Sequence, residues 1–94
     1  MLEKTKTVHL SKKLQMAEMI YEHIDLKEPS LSDVEQFYST QRSKDAMAAM
    51  KLLIALVSGV SERALSAMAY TDYRCCEDYL MGFLTWSPSQ DGSS

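Results

Sequence analysis

Between Lys44 and Ser58 the chain holds an apolar run, Ala46 to Val57, broken by a single charge at Lys51 and followed by Gly59. Met47, Met50, Ile54 and Val57 recur at three- and four-residue intervals, the spacing of one helical stripe. Leu52, Leu53 and Leu56 carry the apolar surface around most of the remaining circumference, and a helix apolar on nearly all sides has to be buried. Ser43 stands where an N-cap is wanted, Asp45 meets the partial positive charge of the first turn, and Gly59 suits the left-handed residue that ends a helix. The run predicts the central helix of an all-α domain, to be wrapped by other helices or covered by a second chain.

The flanking segments are read as those wrapping helices. Leu10, Leu14, Ala17, Ile20 or Tyr21, and Ile24 fall at three- and four-residue spacing, widened by Met16 and Met19, so a first helix is expected from about Ser11 to before Pro29. Ser30 or Ser32 opens a second, with Ser32 and Glu35 spaced as a capping box and Leu31, Val34, Phe37 and Tyr38 facing inward. After Gly59, Ser61 caps a short helix with Ala64, Leu65, Met68 and Ala69 inside. Thr71 or Asp72 starts a last one on which Tyr73, Cys76, Leu80 and Phe83 keep a helical rhythm. The expected architecture is a compact four- or five-helix domain over residues 8–86, with residues 1–7 and 87–94 as flexible termini too polar to bury.

Several classes of function fail on residue chemistry. No apolar run reaches the roughly 18 residues of a membrane span, and no cleavable leader is visible, so a cytoplasmic protein is expected. Cys75 and Cys76 are neighbours on a helix, about 100° apart, which suits reduced thiols, one of them in the core. His9 and His23 are isolated from the cysteines and from each other in sequence, so no metal site is expected. The serines near helix starts read as caps, and Glu77 and Asp78 lack a carboxylate partner at useful spacing. Three glycines, at Gly59, Gly82 and Gly92, make no phosphate-cradling loop; neither catalysis nor a cofactor is expected.

The run Leu53 to Leu65, with Ala55 as the small residue, Gly59 at the turn and Val60 and Leu65 as packing residues, resembles the helix-turn-helix motif of bacterial and phage transcription factors. The resemblance implies a dimeric DNA-binding regulator. Ser61, Arg63 and Ser66 would then face the bases, and either Lys4 and Lys6 with Lys12 and Lys13, or Arg42, Lys44 and Lys51, would reach the phosphates. The formal charge of −3 and the acids Glu62, Asp72, Glu77 and Asp78 oppose general attraction to nucleic acid, so this stands as the alternative.

The leading expectation comes from a surplus of apolar side chains. Seven methionines accompany an aromatic series that includes Phe37, Tyr38, Tyr70, Tyr73, Tyr79, Phe83 and Trp86, more than a small interior needs. The expected function is a small intracellular, non-catalytic regulator or adaptor that works through helical protein contacts, as a homodimer and with a protein partner. Tyr73, Tyr79, Phe83 and Trp86 on the last helix and its exit are its expected interface, and the acids at its margin select a basic partner region.

Overall fold

The structure, a computed structural model, describes residues 3–88. Six elements follow one another: β1 (Thr5–Met16), β2 (Met19–Lys27), α1 (Leu31–Ser43), α2 (Ala46–Ser58), α3 (Glu62–Leu65) and α4 (Tyr70–Leu84). The all-α expectation is therefore wrong in its first third, where an antiparallel hairpin replaces the first helix. The interior selects parity here: Val8 and Leu14 on β1 and Ile24 and Leu26 on β2 are buried, while their odd-numbered neighbours Thr7, His9, Asp25 and Lys27 are exposed. That is the period of two of a sheet with one wet face. The three- and four-residue spacing of Leu10, Leu14, Ala17, Ile20 and Ile24 is a coincidence of that pattern with a two-residue turn.

The turn, Ala17 and Glu18, holds Ala17 at φ 54°. On the far side of the hairpin Val8 faces Ile24 and His9 faces His23; nearer the turn Leu14 faces Tyr21 and Met16 faces Met19. Leu10, Ser11, Lys12 and Lys13 thus lie opposite Glu22 alone, a bulge that bends β1. The two histidines, far apart in sequence, are placed side by side with ring centroids 6.2 Å apart.

The helices begin and end for local reasons. Ser30, not Ser32, caps α1, accepting from the Asp33 N–H while the Asp33 carboxylate accepts from the Ser30 N–H. Asp45, not Ser43, caps α2, its Oδ1 accepting from the Ala48 N–H at 2.7 Å. Gly59 closes α2 at φ 79°, as its position suggested. Ser61 caps α3, which is a single turn ending at Leu65 instead of running on to Ala69. The start of α4 has no side-chain cap: Asp72, expected there, is instead turned across the fold.

The hairpin lies over the helices. β2 packs on α2, β1 on α4 and α3, and α1 on the other flank of α2. Met50, Leu53, Ile54 and Val57 of α2 join Val8, Leu14, Ile24 and Leu26 of the hairpin, Phe37 of α1 and Cys76 and Leu80 of α4 in one core. Met47, counted in the α2 stripe, emerges from it at the first turn. Tails read as flexible, 1–7 and 87–94, fall outside the described residues at positions 1, 2 and 89–94, and β1 begins inside the first of them.

Candidate functional site

Two apolar grooves flank the ends of α4. The larger, about 480 Å³, runs along α2 from Asp45 and Met47 to Ile54 and is closed on its other side by Leu65, Met68, Tyr70 and Tyr73. Its position follows from the short α3: one turn brings the chain from α2 to α4 with a sharp corner at Ser66 to Ala69, and the gap between the two helix starts stays open. The floor is buried Ile54 and Leu65, while the walls are exposed, Met47 at 57% and Tyr70 at 59%.

The wall on the α4 side is ordered by its own contacts. Tyr70 and Tyr73 stack with centroids 5.9 Å apart, and the Arg74 guanidinium lies 5.8 Å from the Tyr70 ring centre. Arg74 also donates to the Tyr70 hydroxyl at 3.2 Å and pairs with Glu77 at 2.9 Å. The hydrogen bond to Tyr70 is the main reason that the Arg74 pKa is raised. Partial burial lifts the Tyr73 phenol above its usual range, with Glu77, Tyr70 and Asp45 adding to it and Arg74 opposing it. At the opposite end of the groove the Lys51 ammonium donates to the Ser66 hydroxyl at 3.0 Å.

The smaller groove, about 410 Å³, lies at the other end of α4 between Pro29, Leu31 and Val34 and the pair Phe83 and Trp86. Leu31 is 76% and Trp86 52% exposed, whereas both were counted as partners of an interior or an interface. Its charged rim is self-satisfied, since Lys4 and Glu28 pair at 2.7 Å. Phe83 meets Tyr79 edge on at 5.2 Å, and the Tyr79 hydroxyl donates to the Glu3 carbonyl at 2.7 Å. Burial again raises the Tyr79 pKa, with Glu3 and Glu28 adding to it.

The four aromatics expected at one interface are thus divided between two grooves: Tyr73 lines the first, Phe83 and Trp86 the second, and Tyr79 braces Phe83. Sequence reasoning placed Tyr70 among the surplus aromatics without a role and turned Met47 inward; only the meeting of two helix starts makes them walls of one groove. Of the six residues assigned to a duplex, Lys51 and Ser66 are joined to each other, and Ser61 and Arg63 belong to a helix one turn long. Arg42 and Lys44 lie at the far end of α1, the latter as its C-cap. A recognition helix reads bases along several turns in the major groove, and α3 offers one.

Buried chemistry is sparse. Cys76 is buried and Cys75 exposed, both as free thiols, and burial pushes the Cys76 thiol up to about 11, with Cys75 and Asp72 adding to the shift. Asp72 is the buried charged residue of the core, and both its oxygens are engaged: the Ser11 N–H donates to them at 3.1 and 3.0 Å, and the Ser11 hydroxyl to Oδ2 at 3.1 Å. Among the described residues no group of three or more His, Cys, Asp or Glu side chains converges as metal ligands, and no helix is long and apolar enough to cross a membrane.

No curated protein and no solved structure matches the chain. The sequence pattern of one family does, from the third residue of β1 to just beyond α4. Because that match, to "Phage tail assembly chaperone proteins, E, or 41 or 14", spans residues 7–85, the chain belongs to this family, as a small non-catalytic protein whose work is contact with other proteins.

Proposed function

We propose that this protein is a cytoplasmic chaperone that binds an apolar segment of a phage tail protein and keeps it from premature association until the tail is built. The observation that carries the reading is the groove between α2 and α4. Ordinary surface scatters its apolar side chains, but here Met47, Tyr70 and Tyr73 from two helices line one open cleft with a buried floor. Methionine and tyrosine suit transient holding of a client. Methionine repacks against different shapes, and tyrosine covers area at small entropic cost.

The chaperone works as a homodimer in this reading, its copies meeting at Leu31, Phe83 and Trp86. That patch joins the exposed Leu31 and Trp86 side chains to an apolar hollow whose rim charges are already paired, a surface that a second copy can cover without stranding a charge.

Co-expression with the individual tail proteins of the same phage tests the first part. One of them is expected to gain soluble yield and to co-purify, and Tyr70→Ser with Tyr73→Ser to lose it; failure to co-purify with any tail protein overturns the chaperone reading. Sedimentation tests the second. A dimer that Leu31→Ser with Trp86→Ala converts to monomer is expected, and a monomer at every concentration removes the dimer.

A further inference from the structure

We infer that the α2/α4 groove takes an amphipathic helix of the client, one carrying a basic residue and an acidic residue about two turns apart, rather than an extended segment. This rests on the chaperone reading and specifies its client. The groove is walled by α2, the end of α3, the corner at Ser66 and Met68 and the start of α4, with neither strand in its lining, so it offers no open strand edge. An extended occupant would bury its N–H and C=O groups against Met47, Ile54, Leu65 and Tyr73 without partners, whereas a helix brings its own hydrogen bonds and presents side chains alone.

Charge at the rim adds direction. Four ionised side chains line this groove and the shallower hollow that continues it past Tyr73: Asp45, Lys51, Arg74 and Glu77. Arg74 and Glu77 neutralise each other at 2.9 Å. What remains among the described residues is the exposed carboxylate of Asp45, which also caps α2, at one end and the ammonium of Lys51 at the other, bonded to the neutral hydroxyl of Ser66. Six positions separate them, about 9 Å of axial rise along α2, and both line the groove although they stand about 120° apart around the helix. Positions seven apart on a client helix lie about 10 Å apart on nearly the same face, so a base at one and an acid at the other match both ends, with apolar residues three and four positions on filling the floor.

Three end-blocked amphipathic peptides with one leucine stripe test this. They carry Lys and Glu, Lys and Lys, or Glu and Glu at two rim positions seven apart. Titration against the full chain, followed by nuclear magnetic resonance of the methionine methyls, is expected to show the Lys/Glu peptide binding at least about threefold tighter than the other two, with the Met47 methyl shifting most. Asp45→Asn, which keeps an N-cap and removes the charge, is expected to erase the advantage of Lys/Glu over Glu/Glu. Met47→Glu is expected to weaken all three at least tenfold. Equal affinities, no effect of Met47→Glu, or shifts confined to methionines outside the groove such as Met16 and Met81 overturn the inference. If a tail protein still co-purifies in that event, the chaperone reading survives while its client helix does not. If nothing co-purifies, the reading itself fails.

Discussion

The hairpin and the central helix α2 contribute to the same core, yet one is held by a seam and the other by enclosure. α2 has neighbours on several sides: α1 along one flank, β2 over another, α3 and α4 at its ends. The hairpin has a single inner face, with Val8, Leu14, Ile24 and Leu26 pressed on the helices, and its outer face is wet. Besides the shared apolar core, what ties the bent β1 to α4 is a part-buried polar contact, Ser11 to Asp72. The comparison teaches that a two-stranded sheet, marginal alone, becomes structural when a bulge lets it offer a backbone N–H to a carboxylate in the first turn of a helix.

If the hairpin is part of the core and not an appendage, Leu14→Ala will be as damaging as truncation within α2. Leu14 is wholly buried, and removing its side chain is expected to cost about 3–4 kcal/mol in chemical denaturation, the range for enclosed leucines that cannot collapse onto the space. A loss below about 1 kcal/mol would show the hairpin lifting away with the helices still folded, and would break the comparison.

The seam itself is addressed by Asp72→Ala. Ser11, itself exposed, would lose two charge-assisted bonds that water replaces only in part, at an expected cost of about 2 kcal/mol. Asp72→Asn retains one acceptor oxygen and should lose about half as much. Amide hydrogen exchange sharpens the reading: the Ser11 amide is expected to exchange much faster in Asp72→Ala while amides in α2 follow only the drop in global stability. Uniform acceleration would place the cost in the whole fold instead of the seam.

Cys76 lies one turn beyond Asp72 on the same face of α4 and reports whether that seam stays dry. Its thiol is held at about 11, above the roughly 8.5 of a thiol in an unfolded chain. Over that interval the unfolded chain releases the proton first and the folded chain retains it, so stability falls as pH rises from about 8.5 to about 11. Tyr73 and Tyr79, also raised, act in the same direction near the top of the interval. The difference between the wild type and Cys76→Ala isolates the thiol: the wild type is expected to lose about 1–2 kcal/mol more across this range. Equal pH dependence would mean that water already reaches Cys76.

How much could be read in advance divides along the same line. α2 was legible because Ala46 to Val57 has no second interpretation and Gly59 marks its end. α4 was legible because Tyr73, Cys76, Leu80 and Phe83 do face inward or half inward. The hairpin was not, although the even-numbered residues Val8, Leu10, Leu14 and Met16 carry the signal of a strand. Exposed Ser11, Lys12 and Lys13 at the bulge interrupt that alternation, and Leu10, Leu14 and Ala17 match a helix equally well over a short window. For the groove, Tyr73 could be named from its own helix. Met47 could not, because its exposure depends on how closely α4 approaches the start of α2, which is a matter of crossing geometry and not of period.

Two residues with positive φ end these two regions, and exchanging their identities gives the smallest and most diagnostic effects. Gly59 sits at φ 79° after α2 with open space where a Cβ would be, so Gly59→Ala meets no clash and costs only the left-handed conformation, about 1 kcal/mol. Ala17 sits at φ 54° in the hairpin turn and already carries that cost, in a two-residue turn where glycine or asparagine is usual. Ala17→Gly should therefore stabilise, by about 0.5 kcal/mol once the greater freedom of glycine in the unfolded chain is set against the relieved strain. The opposite signs follow from one cause, which thermal unfolding of the two variants side by side will check. If Ala17→Gly destabilises, the turn does not hold Ala17 in the left-handed region. The two-residue turn from Met16 to Met19, which keeps Leu14 opposite Tyr21 and its neighbours on the inner face, would then have to be redrawn.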